Sequence, residues 1–306
     1  MKMTAKFHLP GLRYNYPLNM MLLSLKEKYP HYFQDNIEIA SFFGEFPTSL
    51  WNGGRFSNGD QCDRRFVEEV VKSINTRGIP VRYTYTNPLL TEEDLADAYC
   101  NFCMKTADNG KNEVLVVSPI LEAYIRKNYP GFTINSSTCK EIRGIEGVNE
   151  ELKKDYGLVV LDYNLNNQFG ELQKITDKSR CELLVNACCI PECPRRGEHY
   201  RTIAKQQRIT LKNRRHPADK QIPVPGWHCE YGNCNTIYDI QEYKTFISAE
   251  DIWEKYLPMG FCNFKIEGRS LGSALILEFL LYYMVKPEYQ IHVREAIYLD
   301  NMLDLF

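Results

Sequence analysis

The chain has 306 residues and a net charge of -2, so it allows one large domain or two small ones and has no global field that draws nucleic acid or membrane. Lys2, Lys6 and His8 interrupt the start before any long apolar run, and no segment reaches a membrane-spanning length without charges, which predicts a cytoplasmic protein with no membrane partner. Eleven cysteines without a secretory signal point to reduced thiols or metal ligation rather than to a disulfide framework.

In chain order, residues 5–9 read as a strand and 17–28 as a helix closed by Tyr29-Pro30. Residues 37–43 form a second strand, followed by a loop rich in Gly and Asn over 44–60 and a helix over 64–75. The β-branched and aromatic run 80–86 is a third strand, closed by Asn87-Pro88, and Thr91-Glu92-Glu93-Asp94 resembles a capping box that opens the next helix. The alternation continues with strands at 113–117, 132–136, 158–162 and 181–186, separated by helices at 119–128, 150–156 and 168–176. A short strand at 245–247, a capped helix from Ser248 to near Leu257-Pro258, a strand at 261–270 and a long apolar helix at 271–285 complete the chain.

Strand and helix patterns alternate about eight times, which argues for parallel strands with crossover helices in a TIM-like (β/α)8 barrel, an α/β fold filling 1–306 as one domain. No Gly-rich phosphate loop follows the first strand, which counts against a dinucleotide-binding sheet. One long insertion, 190–243, breaks the rhythm and reads as irregular and basic. Between 190 and 224 nine Lys/Arg face three acids, Glu192, Glu198 and Asp219, so the segment is expected to attract a small anionic substrate or RNA, or to be a solvated surface loop. Only Tyr200 offers stacking within that stretch.

Read as a strand, 261–270 places Phe264 and Ile266 on one face and Lys265, Glu267 and Arg269 on the other. Burying unpaired charge is costly, so these three satisfy one another or line a polar cavity at the end of a barrel strand. Arg82, Thr84, Thr86, Ser136, Ser137, Asp162, Asn164 and Asn186 also fall at strand ends, where they would converge above the lumen on an oxygen-rich anion, with Arg as a bidentate clamp. Cys188, Cys189 and Cys193 lie just beyond a strand, and Cys229 and Cys234 close the same insertion. Two cysteine groups about 40 residues apart can supply four thiolates to an iron-sulfur centre or a structural zinc, or remain free thiols. Either Cys188 or Cys189 is the ligand in such a set, with Cys262 a possible substitute; Cys62, Cys100, Cys103, Cys139 and Cys181 read as small buried hydrophobes. Gly268-Arg269-Ser270-Leu271-Gly272 matches G-x-S-x-G, but only His292 follows it and no strand remains to bring that histidine beside Ser270.

The run from Ser248-Ala-Glu-Asp-Ile to Met259-Gly-Phe-Cys-Asn-Phe-Lys-Ile-Glu-Gly-Arg269 resembles the signature of the collagenase-like peptidases, family U-thirty-two, over residues 245–286. Lys265, Glu267 and Arg269 match the family's K-I-E-G-R string, whereas Ser270-Leu271 stand where the family continues Met-Lys, and the cysteine spacing differs from the family pattern. The resemblance implies a TIM-like barrel and a 4Fe-4S cluster held by four cysteines, assigned here to Cys189, Cys193, Cys229 and Cys234, with zinc as the alternative. It also implies oxygen-independent hydroxylation or related redox chemistry on an anionic or RNA-linked substrate. There Lys265 and Arg269 would bind a carboxylate, and Glu267 would orient them or exchange a proton. A peptidase or other hydrolase, and a non-catalytic protein with a structural metal, are the alternatives.

Overall fold

The computed structural model describes residues 3–54, 62–214, 216–231, 236–268 and 271–303, with the side chains of 300–303 left out of the description. Eight parallel strands close into a barrel in sequence order. The first half runs β1 (Ala5–Pro10), α1 (Tyr16–Lys28), β2 (Ile37–Gly44), α2 (Arg64–Thr76), β3 (Val81–Tyr85), α3 (Ala98–Ala107), β4 (Glu113–Val116) and α4 (Pro119–Asn128). The second half runs β5 (Thr133–Ser136), α5 (Ile145–Leu152), β6 (Val159–Val160), α6 (Phe169–Leu172), β7 (Cys181–Leu184), α7 (Arg196–Asn213) and α8 (Ile237–Gln241). It ends with α9 (Ala249–Asp251), a π-helical turn (Ile252–Tyr256), α10 (Leu257–Met259), β8 (Asn263–Lys265), α11 (Ser273–Met284) and α12 (Gln290–Leu303). No helix among the described residues is long and apolar enough to cross a membrane.

The pleat separates two environments. Phe7 and Phe264 stand opposite each other in the β1–β8 register and face the helices, with ring centroids 5.9 Å apart and Tyr283 of α11 6.2 Å from Phe7. The Tyr283 hydroxyl donates to the carbonyl oxygen of Ile247 at 2.8 Å, which ties α11 to the chain entering α9. One residue further along each strand, His8 stands opposite Lys265, so the residues that alternate with the apolar set meet in the lumen.

Local chemistry explains most of the helix starts. The Asp63, Asp97 and Ser118 side chains accept from N–H groups in the first turns of α2, α3 and α4. The capping box at Thr91 and Asp94 does form, but it opens a 3-10 turn (Glu92–Ala96), and α3 begins only after Asp97. Other boundaries differ from the sequence reading. Helix α5 begins at Ile145, behind Gly144 at φ +78°, rather than at residue 150. Among the described residues of that stretch, 261–268, regular pairing is confined to Asn263–Lys265. Residues 245–247 form no strand, and Ile247 makes a single 2.9 Å bond to the carbonyl of Val185. Within the insertion, α7 is an 18-residue helix. Its buried residues are Arg196, Ala204 and Gln207, two of them polar, so no apolar period marked it.

Candidate functional site at the mouth of the barrel

The floor of the lumen is a closed set of charges. Arg82, the second residue of β3, is fully buried and donates through Nε to Glu113 at 2.6 Å, through Nη1 to Glu182, and through Nη2 to His8 Nδ1 at 3.0 Å. Asn135 donates to the same Glu113 oxygen at 2.8 Å. His8 Nδ1 also lies 2.8 Å from the Ser41 hydroxyl, and His8 Nε2 lies 3.4 Å from Glu182 Oε2. A guanidinium has no acceptor, so Nδ1 must accept and the imidazole is the neutral Nε2–H tautomer. Burial, reinforced by Arg82, lowers the His8 pKa to about 4. Burial alone would raise Glu182, but the Arg82 guanidinium, with Lys265, holds it far below the ordinary carboxylate range. Burial likewise opposes the charge of Arg82, and Glu113 and Glu182 outweigh it. Arg82 was expected to clamp a substrate above the lumen. It sits instead at the N-terminal end of its strand, with its donors turned onto protein acceptors.

Above this floor, Lys265 Nζ lies 3.4 Å from Glu182 Oε1 and 4.1 Å from the centre of the Phe43 ring. Thr84 donates to Glu45 one level up. Beyond the strand ends, Asn186 clasps the backbone of Glu267. Its Oδ1 accepts the Glu267 N–H at 2.6 Å and its Nδ2 donates to the Glu267 carbonyl at 3.1 Å. The Glu267 carboxylate accepts the backbone N–H of Cys188 at 2.8 Å. Lys265 thus faces Glu182 in the lumen, and Glu267, just beyond the end of β8, is stitched to the loop carrying the cysteines. Arg269, Ser270 and Cys234 lie outside the described residues.

The cysteine loop places Cys189 against Cys193 and Tyr163. Burial, opposed by the Tyr163 hydrogen bond and reinforced by Cys193, pushes the Cys189 thiol up to about 12. Cys188 points elsewhere, its Sγ 3.4 Å from the Asn186 carbonyl. Cys229 lies in a segment tied to Arg195, two residues past Cys193, which donates to the His228 carbonyl at 3.4 Å and pairs with Glu230 at 2.9 Å. Cys262 is excluded as a substitute ligand. It precedes β8 at the floor end, with its Sγ 3.7 Å from the Ser179 carbonyl, some five residues and about 16 Å of strand from Glu267. Cys100, Cys103 and Cys181 are buried among apolar side chains. Two of the four assigned thiols are thus together and a third lies in a neighbouring segment, while no group of three His, Cys, Asp or Glu placed to hold a metal ion occurs among the described residues.

Beside the thiols opens a cavity of about 520 Å³ whose lining includes Arg143, Asp162, Asn164, Gln168, Glu192 and Cys193. Asp162 is engaged by Arg196 through both oxygens, one bond measuring 2.9 Å. Burial would raise the Asp162 carboxyl, but the Arg196 guanidinium holds it below its usual range. Glu141, Asn167 and Glu192, which line or flank this cavity, are three of the five non-glycine residues described with positive φ. Such backbone costs about 1–3 kcal/mol each and persists where the surroundings impose it, often at functional sites. The sequence reading reached Asp162 and Asn164 through their strand-end positions. It missed Glu182, His8 and Arg196; for Glu182 the available signal was a lone charge inside an otherwise apolar strand in C-E-L-L-V.

No family model matches this sequence, and no curated protein matches it. Among solved structures the chain is similar to that of the U32 peptidase Mk0906, with 14% identity over 88% of this chain and 94% of that chain and a TM-score of 0.49.

Proposed function

We propose that the protein is a redox enzyme acting at the C-terminal mouth of its barrel, on a small anionic substrate, with an iron-sulfur cluster held by Cys189, Cys193, Cys229 and Cys234. The observation that carries this reading is the pairing of Cys189 with Cys193 beside a cavity, on a loop bonded to Glu267. Catalytic groups of (β/α)8 enzymes come from this end of the strands. A bound cluster would supply one-electron transfer there. Lys265 places positive charge beneath the site, Glu267 is the carboxylate positioned to hold or move a proton, and Arg143 lines the cavity that would receive the anion. Hydroxylation without oxygen is the reaction type this set would serve.

Anaerobic purification followed by iron, sulfide and zinc analysis tests the proposal. The expected protein is brown, with iron and acid-labile sulfide that are lost in Cys189→Ser and Cys193→Ser and kept in Cys262→Ser. Colourless protein with stoichiometric zinc, or equal iron in all three variants, rules it out.

A further inference from the structure

A second cavity, of about 480 Å³, opens at the end of the barrel opposite the thiols. Its walls come from chain about to enter strands: Met3 before β1, Gln34, Asp35 and Asn36 before β2, and Trp253 and Leu257 before β8. Trp253 is carried by the π-helical turn, where Ile252 and Tyr256 are buried and Trp253 stays half-buried at the cavity. Such wide turns recur at functional sites. The other two tryptophans are engaged within the protein. Trp51 donates to the Asp94 carbonyl at 2.8 Å, and Trp227 stacks on His199 at 4.8 Å. Trp253 has neither a ring partner nor an indole hydrogen bond among the described residues.

The facing wall is polar, and its backbone is fixed. The Gln34 N–H donates to the Met284 carbonyl at 2.9 Å, and the Asn36 carbonyl, in a residue at φ +57°, accepts the Ala5 N–H at 2.9 Å. The side-chain amides of Gln34 and Asn36 make no hydrogen bond among the described residues. Asp35 is the one charged side chain among the described residues of the lining. Lys286 engages one of its oxygens at 3.2 Å, and Asp35 stays 75% exposed, where such a pair is weak. Beside Trp253, Lys255 is taken by Asp251 at 2.7 Å, which leaves Glu250 and Glu254 exposed without a paired cation among the described residues.

We infer that this cavity is a binding site for a small organic cation, an ammonium or guanidinium group on an apolar stem. The free indole face attracts such a cation, and Asp35 with the two amide oxygens accepts its N–H groups. Met3 and Leu257 take the stem, and the volume falls in the range of small-molecule sites, roughly 300–1,000 Å³. An anion would meet the acids Asp35, Glu250 and Glu254 instead. Catalytic groups of (β/α)8 barrels lie at the opposite end, so this is a ligand site apart from the chemistry, and it does not depend on iron.

The test is titration of the full-length protein with phenethylammonium, followed through the indole N–H signals of the three tryptophans by NMR. The neutral and anionic counterparts are 2-phenylethanol and 3-phenylpropionate. Phenethylammonium is expected to shift the signal that Trp253→Phe removes, and to leave those of Trp51 and Trp227 in place. It should bind about tenfold more tightly than 2-phenylethanol, and 3-phenylpropionate more weakly still. Trp253→Leu should weaken it about tenfold by calorimetry. Asp35→Asn with Glu254→Gln should abolish the preference for the cation over the alcohol, and both of these side chains are exposed, so folding is preserved. No saturable shift up to roughly 10 mM, equal affinity for the alcohol, or a cation preference that survives in the double variant would overturn the inference. Iron content reports separately on the thiol centre.

Discussion

His8 is the buried base that the floor of the lumen keeps neutral. Because its folded-state pKa of about 4 lies below the ordinary 6.5, the stability it represents is full above pH 6.5 and is lost as pH falls through 4. Urea unfolding at a series of pH values should show a loss of about 3 kcal/mol across that window, and His8→Gln should flatten it. Glu151 acts in a lower window. Burial opposes its ionisation, but bonds from Lys140, Lys154 and Ser136 bring it to about 2, so its contribution is lost only as pH falls from 4.5 through 2. Arg82 holds the two floor carboxylates, and removing it strands both. Arg82→Met should cost about 3–5 kcal/mol, and adding Glu182→Leu should recover part of that loss, measured as a double-mutant cycle in urea. Sequence alone made Lys265 legible as an inward charge, because alternation with Phe264 fixes its side, and in the structure it faces Glu182. It could not tell that Arg82 belongs to the floor, because strand position along the barrel axis depends on register with β4, where Arg82 pairs with Glu113.

At the scale of elements, α7 decides how the mouth is covered. It reads as loop in sequence because the surface it meets is polar. Its contacts are Arg196 with Asp162, Gln207 with Ser49 and Arg208 with Asp94 and Leu89. Gly54 shows how closely it lies on the barrel. With φ at +79°, a Cβ there would stand 2.3 Å from the Ile203 carbonyl oxygen, a backbone atom that cannot rotate away. Gly54→Ala should therefore loosen α7 without unfolding the barrel. Amide exchange should quicken over 196–213 while β1, β3 and β8 keep their protection, and loss of protection throughout would show that the helix and barrel are one cooperative unit. Helices α2 and α4, by contrast, are legible in the amino-acid order itself, and each starts at a side chain that accepts from its first turn.

Taken whole, the barrel divides its labour between its ends. The ion network of Arg82, Glu113, Glu182 and His8 lies at the floor, and the thiols, Glu267 and the cavity lie at the mouth. Substitutions at the two ends should therefore separate. Glu182→Gln should lower the urea midpoint while iron per folded chain stays unchanged, and Cys193→Ser should remove iron with the smaller change in midpoint. Both variants losing iron in proportion to stability would mean that the cluster proposal describes a folding effect.

The eight barrel strands and most of the helices between them were legible in sequence alone, because the 2.0 and 3.6 periods and the caps are set by neighbours a few residues apart, whereas α7, whose buried face is polar, was not. The alternation of Phe264 and Ile266 with Lys265 was likewise legible in the chain itself. Which polar groups meet was decided by the tertiary structure. Arg82 finds His8 74 residues away and Glu182 100 residues away, and a buried charge has no partner written beside it in the chain. Closing the barrel supplies that partner, since only a closed sheet brings β3 and β7 to face each other across a space from which water is excluded.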